Sequence, residues 1–503
     1  MRFDTGLTRV WREVRRWRSQ SSDEPIQVDP ELPPSDLRRL SGEIEAVIET
    51  RGGLAAARRR ARRLALTYST LSDTGRQRFF EHLAVEHDRD PERVDRAVER
   101  LLAAADQNRP STGSGNRPDD DGPNTPSERR QAEAELRQAL RPGHQTLLRR
   151  LAGQDGGLAF LVALRADLLP HRRSSPALGD LDAELHQILE TWFDVGLLEL
   201  VRLTWDTSAA LLEKLIEYEA VHAIESWDDL KRRLGPGRRC YAFVHPGMPD
   251  DPLIFVEVAL TRGVPDRLGP LLEPLGAEVD FDDRSGEDRA DTAVFYSISN
   301  CHRGLAGVSL GDFLIKSVAE QLSAELNGLT TFATLSPLPG FRSWLERQIV
   351  DGPGGAAAAG PVSLAELHRD EGVDEADVMG QLRALIDGGA RRADDPDLEP
   401  VRPVVEHLAA RYVTTIRDDG RAIDPVAHFH LSNGARIERL NWMANPTPTG
   451  WDRGLGLMIN YRYDLRTIEA NHDRYVGTGE LTMADDVGGL LEPRSGDGRR
   501  RFR

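Results

Sequence analysis

The sequence predicts an all-helical N-terminal domain followed by an α/β domain, and three observations carry that prediction. Apolar residues recur at helical spacing from Ser35 onward, with no strand-like alternation over the first part of the chain. Near residue 195 the character changes, to short runs of β-branched and aromatic residues bounded by Gly, Pro or Asp. A chain of 503 residues also exceeds the size that one hydrophobic core usually serves, so at least two domains are expected.

In chain order, residues 1–18 set Leu7, Val10, Trp11, Val14 and Trp17 near one helical face among six arginines. That pattern is superficially like an organellar presequence, but Asp4 and Glu13 argue against one, and a surface or docking helix fits better. Residues 1–34 are expected to form a flexible N-terminal segment. Leu37, Leu40, Ile44, Val47 and Ile48, then Phe79, Phe80 and Leu83, carry the helical period forward. Residues 107–127 (QNRPSTGSGNRPDDDGPNTPS) have almost no apolar content and read as a flexible linker. The period resumes through Leu136, Leu140, Leu147, Leu148 and Leu151, which makes residues 35–190 one helical domain interrupted by a disordered loop.

In the second domain, residues 191–484, three runs predict strands: YAFVH at 241–245, LIFVEVAL at 253–260 and TAVFYSIS at 292–299. Ser226 is a plausible cap for a short helix that stops at Gly235-Pro236. DGPGGAAAAG opens a low-complexity insertion over 351–400, which holds one predicted helix over 363–387 and is expected to carry no catalytic residue. Residues 485–503 are polar, end in RRRFR rather than a peroxisomal Ser-Lys-Leu, and are expected to be disordered.

Composition narrows the function classes. A formal net charge of -17 disfavours a broad nucleic-acid interface, while leaving room for a local basic pocket. Cys240 and Cys301 are the only cysteines, which argues against a disulfide framework or a Cys-rich zinc site and fits a reducing compartment. No apolar run is long enough to span a bilayer, so a soluble protein is expected. Lys214, Lys231 and Lys316 stand against a large excess of arginine, as in a GC-rich bacterial genome, and the expected location is the bacterial cytoplasm.

Three segments carry chemistry. After the strand ending at Ser299 comes CHRGLAGVSLG (301–311), then a helix over 312–326 and a strand over 329–335. Free backbone N–H groups and the helix dipole favour an anion at such a helix start, Gly304, Gly307 and Gly311 would let a pyrophosphate approach, and Arg303 could supply a counter-charge. Tight packing alone explains such a loop about as well. The N-acetyltransferase superfamily sets the coenzyme A pyrophosphate on a similar loop between its fourth strand and the following helix.

The second segment is TLSPLPGF (334–341), which leaves Ser336 at a strand's C-terminal end in a turn stiffened by two prolines; a simple turn former is the bland alternative. The third is DPVAHFHLSNGA (424–435). Asp-Pro starts a helix and Asn-Gly stops it, with a hairpin as the other reading. On a helix, His428 and His430 at i, i+2 face apart, which is poor spacing for zinc, and no metal site is expected. One of the two suits acid–base work, with a hydrogen-bonded structural role as the alternative.

Taken together, the blocks FYSISNCHRGLAGVSLGDFLIK, LSPLPGFRSWL, HFHLSNGARIERLNWMA and GLMINYRYDL resemble, in this order, the signature segments of the malonyl-CoA decarboxylase family. Weaker likeness runs through VRLTWDTSAALLEKLIEYEAVHAIESWDDLKRRLGPGRRCYAFVH and TYSTLSDTGRQRFFEHLA. The resemblance implies a helical domain used in homo-oligomerisation, as a dimer or tetramer, and a catalytic domain of N-acetyltransferase-like α/β fold. It implies conversion of malonyl-CoA to acetyl-CoA and carbon dioxide, with no metal and no organic cofactor. By position, the family's catalytic serine falls on Ser336, its histidine on His430 and a tyrosine on Tyr463. Its coenzyme loop falls on Ala306, Gly307, Val308, Ser309, Leu310, Gly311 and Asp312, beside Arg303 and Gly304. Ser309 departs from a glutamate common in the family. An acyl-CoA acyltransferase of the same superfamily would use the loop identically but need an acceptor pocket, and an acyl-CoA-binding sensor would release no carbon dioxide.

Overall fold

The computed structural model describes residues 24–106, 125–272, 289–351, 375–389 and 395–491. Two compact units divide the chain, the first comprising residues up to 197 with 246–249 and 302–308, and the second comprising the remainder.

The first unit is helical throughout its described part: α1 (Pro34–Ile48), α2 (Leu54–Tyr68), α3 (Asp73–Glu86), α4 (Pro91–Asp106), α5 (Thr125–Ala139), α6 (Gly143–Ala152), α7 (Gly157–Leu168) and α8 (Pro176–Trp192). Local chemistry sets the boundaries. Ser72 and Ser175 cap α3 and α8 by accepting from Gly75 N and Leu178 N, and Pro34 and Pro176 occupy first-turn positions where a missing N–H costs nothing. An aromatic knot of Tyr68, Phe79, Phe80 and Phe160 fills the core, with Tyr68 edge-on to Phe160 at 5.7 Å.

A buried cation ties a distant piece of chain into this unit. Arg165 on α7 is 2% exposed, pairs with Asp182 at 2.8 Å, and donates to the carbonyls of Gly304 and Ala306 at 2.7 and 2.8 Å. Residues 302–308 therefore pack with the helices.

The second unit is built on an eight-stranded sheet among the described residues. Its strands are β1 (Glu199–Leu203), β2 (Arg238–Val244), β3 (Ile254–Thr261), β4 (Thr292–Asn300), β5 (Thr331–Thr334), β6 (Ser336–Pro337), β7 (Arg436–Asn441) and β8 (Met458–Tyr463). The order is β1-β2-β3-β4-β5-β8-β6, with β7 also on β8, and every pairing is antiparallel except β4 with β5. The helices of this unit are α9 (Ala209–Tyr218), α10 (Trp227–Arg233), α11 (Gly269–Leu272), α12 (Gly311–Glu325), α13 (Phe341–Asp351), α14 (Glu375–Asp387), α15 (Arg402–Thr414), α16 (Pro425–Ser432), α17 (Pro448–Gly454), α18 (Ile468–Thr478) and α19 (Asp485–Leu491). The chain between the parallel strands β4 and β5 includes α12, the strand, loop, helix and strand succession read from the sequence. All of β2 and nearly all of β3 are buried, the apolar stretches YAFV and IFV together with the charged Arg238, Arg239 and Glu257.

Two irregularities shape the sheet's centre. In β4, Phe295 pairs with Val258 and Ser297 with Glu257, so Tyr296 has no opposite residue and forms a bulge. β4 and β5 pair only from Thr292 to Phe295 and from Thr331 to Thr334. Leu335 N still reaches Phe295 O at 3.1 Å, but Ser336 and Pro337 then pair with β8 while β4 runs on to Asn300. The two strands diverge there.

Several boundaries differ from the sequence reading. α5 begins at Thr125, inside the predicted linker, of which 107–124 lie outside the described residues, as do 1–23 of the N-terminal segment. In the insertion, Glu375–Asp387 is helical and buries Leu382 and Leu385, while 352–374 lie outside the described residues. The disorder expected from 485 is corrected for 485–491, which form α19. Val487 there is 1% exposed, so one well-seated apolar side chain anchors a segment too polar on average to announce itself. Residues 492–503 lie outside the described residues.

Candidate functional site

The short helix α16 presents one of its two histidines to the sheet. Asp424 caps it by accepting from Ala427 N at 2.7 Å, Pro425 opens the first turn, and Gly434 closes the segment with φ of 75°, so the helix reading holds over the hairpin. An added Cβ at Gly434 would lie 2.0 Å from the carbonyl oxygen of Ile468, so no other residue fits. Residues two apart on a helix point roughly 200° apart. His428 accordingly turns away, with Nδ1 at 2.9 Å from the Tyr475 hydroxyl, and His430 turns inward, 2% exposed.

His430 Nε2 lies 2.9 Å from Ser336 Oγ, and its Nδ1 lies 2.8 Å from the Tyr463 hydroxyl. Three elements supply these groups. Ser336 stands on β6 opposite Ile459, and Tyr463 ends β8. Tyr461, two residues earlier on β8 and so on the same face, stacks on the imidazole with ring centroids 4.5 Å apart at 29°, while Phe429 meets it edge-on at 5.1 Å. Burial within this aromatic housing lowers the imidazole pKa to about 3, with no charged neighbour contributing. The histidine is neutral at physiological pH, flanked by two hydroxyls instead of a hydroxyl and a carboxylate.

Beneath the serine, Thr334 Oγ1 lies 2.9 Å from Ser336 Oγ and accepts from Tyr461 N at 3.1 Å. The buried carboxamides of Asn460 and Asn441 lock the strand ends, Asn460 donating to Thr334 O at 2.7 Å and Asn441 donating to Asn460 Oδ1 at 2.8 Å. Thr334 and Tyr461 were not singled out from the sequence. The period of two in extended chain could have found both, since Thr334 lies two residues before Ser336 and Tyr461 two before Tyr463.

On the open side of β4, the Glu219 carboxylate accepts from the amides of Val221 and His222 and from Ser297 Oγ, each at 2.8 Å, which folds the 219–222 segment against the bulged strand. A cavity of about 350 Å³ lies there, with Pro337, Leu338 and Met458 forming part of an apolar wall and His222, Asn445 and Arg453 on its polar side. It adjoins the chain on both sides of the β6–β8 pairing that holds Ser336.

The glycine loop resolves into parts with different reasons. A Cβ at Gly304 would lie 1.8 Å from the carbonyl of Val162, and one at Gly311 would lie 2.3 Å from the Phe429 ring. Both glycines thus answer to packing, and Gly311 sets the start of α12 against the neighbour of His430. Gly307 has φ of 87° and is exposed, as are Arg303, Ala306 and Ser309; Val308 is half-buried, Leu310 is buried, and Asp312 is the second residue of α12. Among the described residues, no group of three His, Cys, Asp or Glu side chains could hold a metal ion, and no helix is long and apolar enough to cross a membrane. Cys240 and Cys301 are buried and unlinked.

Comparison with known proteins adds sequence-wide evidence. Residues 196–500 match the family described as malonyl-CoA decarboxylase C-terminal domain, and residues 87–193 match malonyl-CoA decarboxylase N-terminal domain. The mitochondrial malonyl-CoA decarboxylase of Rattus norvegicus is 37% identical over 372 residues, covering 72% of this chain and 73% of its own. That of Anser anser anser is 34% identical over 361 residues, covering 71% of each. Among solved structures, malonyl-CoA decarboxylase from Rhodopseudomonas palustris superposes with a TM-score of 0.74 at 38% identity, over 90% of this chain and 98% of its own. The Agrobacterium vitis protein gives 0.73 at 34% identity, over 90% and 100%.

Proposed function

Because the chain belongs to the malonyl-CoA decarboxylase family, and is a carboxy-lyase that converts malonyl-CoA to acetyl-CoA and carbon dioxide, we propose that Ser336, His430 and Tyr463 are its catalytic residues. The observation that carries this reading is the 2.9 Å approach of Ser336 Oγ to His430 Nε2, between residues 94 positions apart in sequence.

Loss of carbon dioxide from a malonyl thioester leaves a thioester enolate, so the site must stabilise a negative oxygen and then protonate the adjacent carbon. In our reading the Ser336 hydroxyl lies near the departing carboxylate, His430 delivers the proton, and Tyr463 on Nδ1 sets the imidazole's orientation and exchanges a hydrogen with it. Solvent ultimately supplies the one proton that the reaction consumes. Backbone N–H groups are the oxyanion donors, and β4 beyond Phe295, where β5 has turned away, is the strand best placed to offer them. Arg303 and residues 304–312 take the coenzyme, with the exposed Ala306, Gly307 and Ser309 nearest to its phosphates. The helical unit serves homo-oligomerisation, and the protein acts in the bacterial cytoplasm without a metal or organic cofactor.

The test is incubation of purified protein with malonyl-CoA alone after exhaustive chelation. Acetyl-CoA and carbon dioxide should form at the untreated rate. Activity lost on chelation and recovered with zinc would overturn the cofactor-free part of the reading.

A further inference from the structure

At the Thr334 end of the hydroxyl and imidazole chain around Ser336, the hydrogens can be counted. Thr334 is fully buried, and its Oγ1 has two contacts: the amide of Tyr461 at 3.1 Å and Ser336 Oγ at 2.9 Å. An amide can only donate, so Thr334 accepts from Tyr461. Among the described residues, the threonine's own hydrogen then has one acceptor in reach, the serine oxygen. Were Ser336 instead to donate to Thr334, the threonine hydrogen would be left in the protein interior without an acceptor, the arrangement that buried polar groups avoid.

We infer that Thr334 is a positioning residue whose hydroxyl donates to Ser336 Oγ, fixing the serine oxygen and leaving the serine hydrogen free for the chemistry. The assignment propagates. With its oxygen held from below, Ser336 in the resting site directs its hydrogen to His430 Nε2, the bare nitrogen of the resting tautomer, and Nδ1–H donates to the Tyr463 hydroxyl. Delivery of the proton to the enolate uses the other tautomer, reached when Tyr463 takes the Nδ1 hydrogen and solvent protonates Nε2. When a substrate oxygen takes the serine hydrogen, Thr334 still holds Oγ, so the serine need not search for a rotamer at the moment of reaction. The geometry has a simple origin: Thr334 ends β5 and Ser336 opens β6, two residues apart in extended chain, where side chains share a face.

This inference rests on Ser336 being catalytic. The competing account is that Thr334 merely satisfies the Tyr461 amide where β5 meets β8. Thr334→Val keeps the shape and removes the hydroxyl, Thr334→Ser keeps the hydroxyl, and Thr334→Ala is a second deletion in case the valine disturbs folding. Steady-state kinetics with malonyl-CoA should show kcat lowered about tenfold or more in Thr334→Val and Thr334→Ala, as expected for losing one hydrogen bond to a working group. KM should move by no more than about twofold, and Thr334→Ser should recover most of the rate. In a Ser336→Ala background, Thr334→Val should cost less than about threefold more, because the threonine acts only through that serine. Full activity in both deletion variants would overturn the inference, as would a loss that multiplies in the Ser336→Ala background or a serine variant as impaired as the valine. If Ser336→Ala itself stays fully active, the catalytic assignment fails first and takes this inference with it, a result plainly different from an inactive Ser336→Ala beside an unaffected Thr334→Val.

Discussion

Replacing His430 with asparagine should change not only the rate but the way stability depends on pH. Burial holds the folded imidazole at about 3, against about 6.5 in an unfolded chain. As pH falls below that unfolded value, the unfolded chain takes up a proton that the folded chain refuses, so the wild-type protein loses stability that the asparagine variant, with nothing to titrate, does not lose. Between about pH 7.5 and about pH 5 the unfolded histidine goes from mostly neutral to almost fully charged, and at 1.36 kcal/mol per unit the differential loss is about 2 kcal/mol. Other groups titrate in the same window. His222, pushed down to about 4 by burial and then by Arg233, acts in the same sense. Glu257 is pushed up to about 8 by burial and by Glu219, and acts in the opposite sense. Both are present in either protein and cancel in the difference. Urea unfolding of wild type and His430→Asn at the two pH values is the assay, with the variant less stable at the higher pH and the gap narrowing by about 2 kcal/mol at the lower. A gap that stays constant would mean that His430 titrates like an exposed imidazole, and the neutral-histidine account of the site would be wrong.

The catalytic assignments make their own kinetic predictions. His430→Asn and Ser336→Ala should each lower kcat by roughly 10²–10⁴-fold, with the double variant far less impaired than the product of the single losses. His428→Asn should keep most activity, since that ring is bonded to Tyr475, and an inactive His428→Asn beside an active His430→Asn would reverse the assignment. At the loop, glycine substitutions are poor probes, because Gly304 and Gly311 are packed and Gly307 needs positive φ. Ala306→Asp adds a negative charge at an exposed position and should weaken coenzyme A binding about tenfold by calorimetry with the melting temperature unchanged; unaltered affinity would move the phosphates elsewhere.

What the sequence made legible follows from how local each signal is. α16 was readable because Asp-Pro and Asn-Gly fix both of its ends within a few residues, and the divergence of His428 from His430 follows from helix geometry alone. β2, β3 and β4 were readable because each holds a run of β-branched and aromatic residues (YAFV, IFV and AVFY) long enough to stand out around its buried polar positions. β1 and β7 were not, since ELVRL and RIERLN mix charges into short alternations that suit a surface helix equally well. The glycines of 301–311 were read as space for a phosphate, whereas two of them make room for Val162 and Phe429, neighbours set by packing over long sequence separations. The capture of 302–308 by the helical unit depends on Arg165, one arginine among many, and nothing in its local sequence marks it.

The housing of His430 also separates this chemistry from acyl transfer through a serine ester. For Ser336 to attack a thioester, His430 would have to take its proton and become an imidazolium, the state that a buried carboxylate stabilises in serine hydrolases. Here that position is held by the Tyr463 hydroxyl, and the imidazole is enclosed by Tyr461 and Phe429. A folded pKa near 3 makes the imidazolium about 5 kcal/mol harder to form than in water, a rate penalty of roughly 10³-fold or more. Decarboxylation does not require that ion pair, because the electrons come from the breaking carbon–carbon bond and the serine can keep its hydrogen. The prediction is that no acyl group accumulates on Ser336 during turnover. Acid-quenched protein, sampled within the first turnovers with malonyl-CoA and again after equilibration with acetyl-CoA, should show by mass spectrometry an unmodified peptide containing Ser336. An acetyl or malonyl adduct on that serine, absent in His430→Asn, would show that the imidazole does accept the proton, and would make the serine a nucleophile in place of a hydrogen-bond donor.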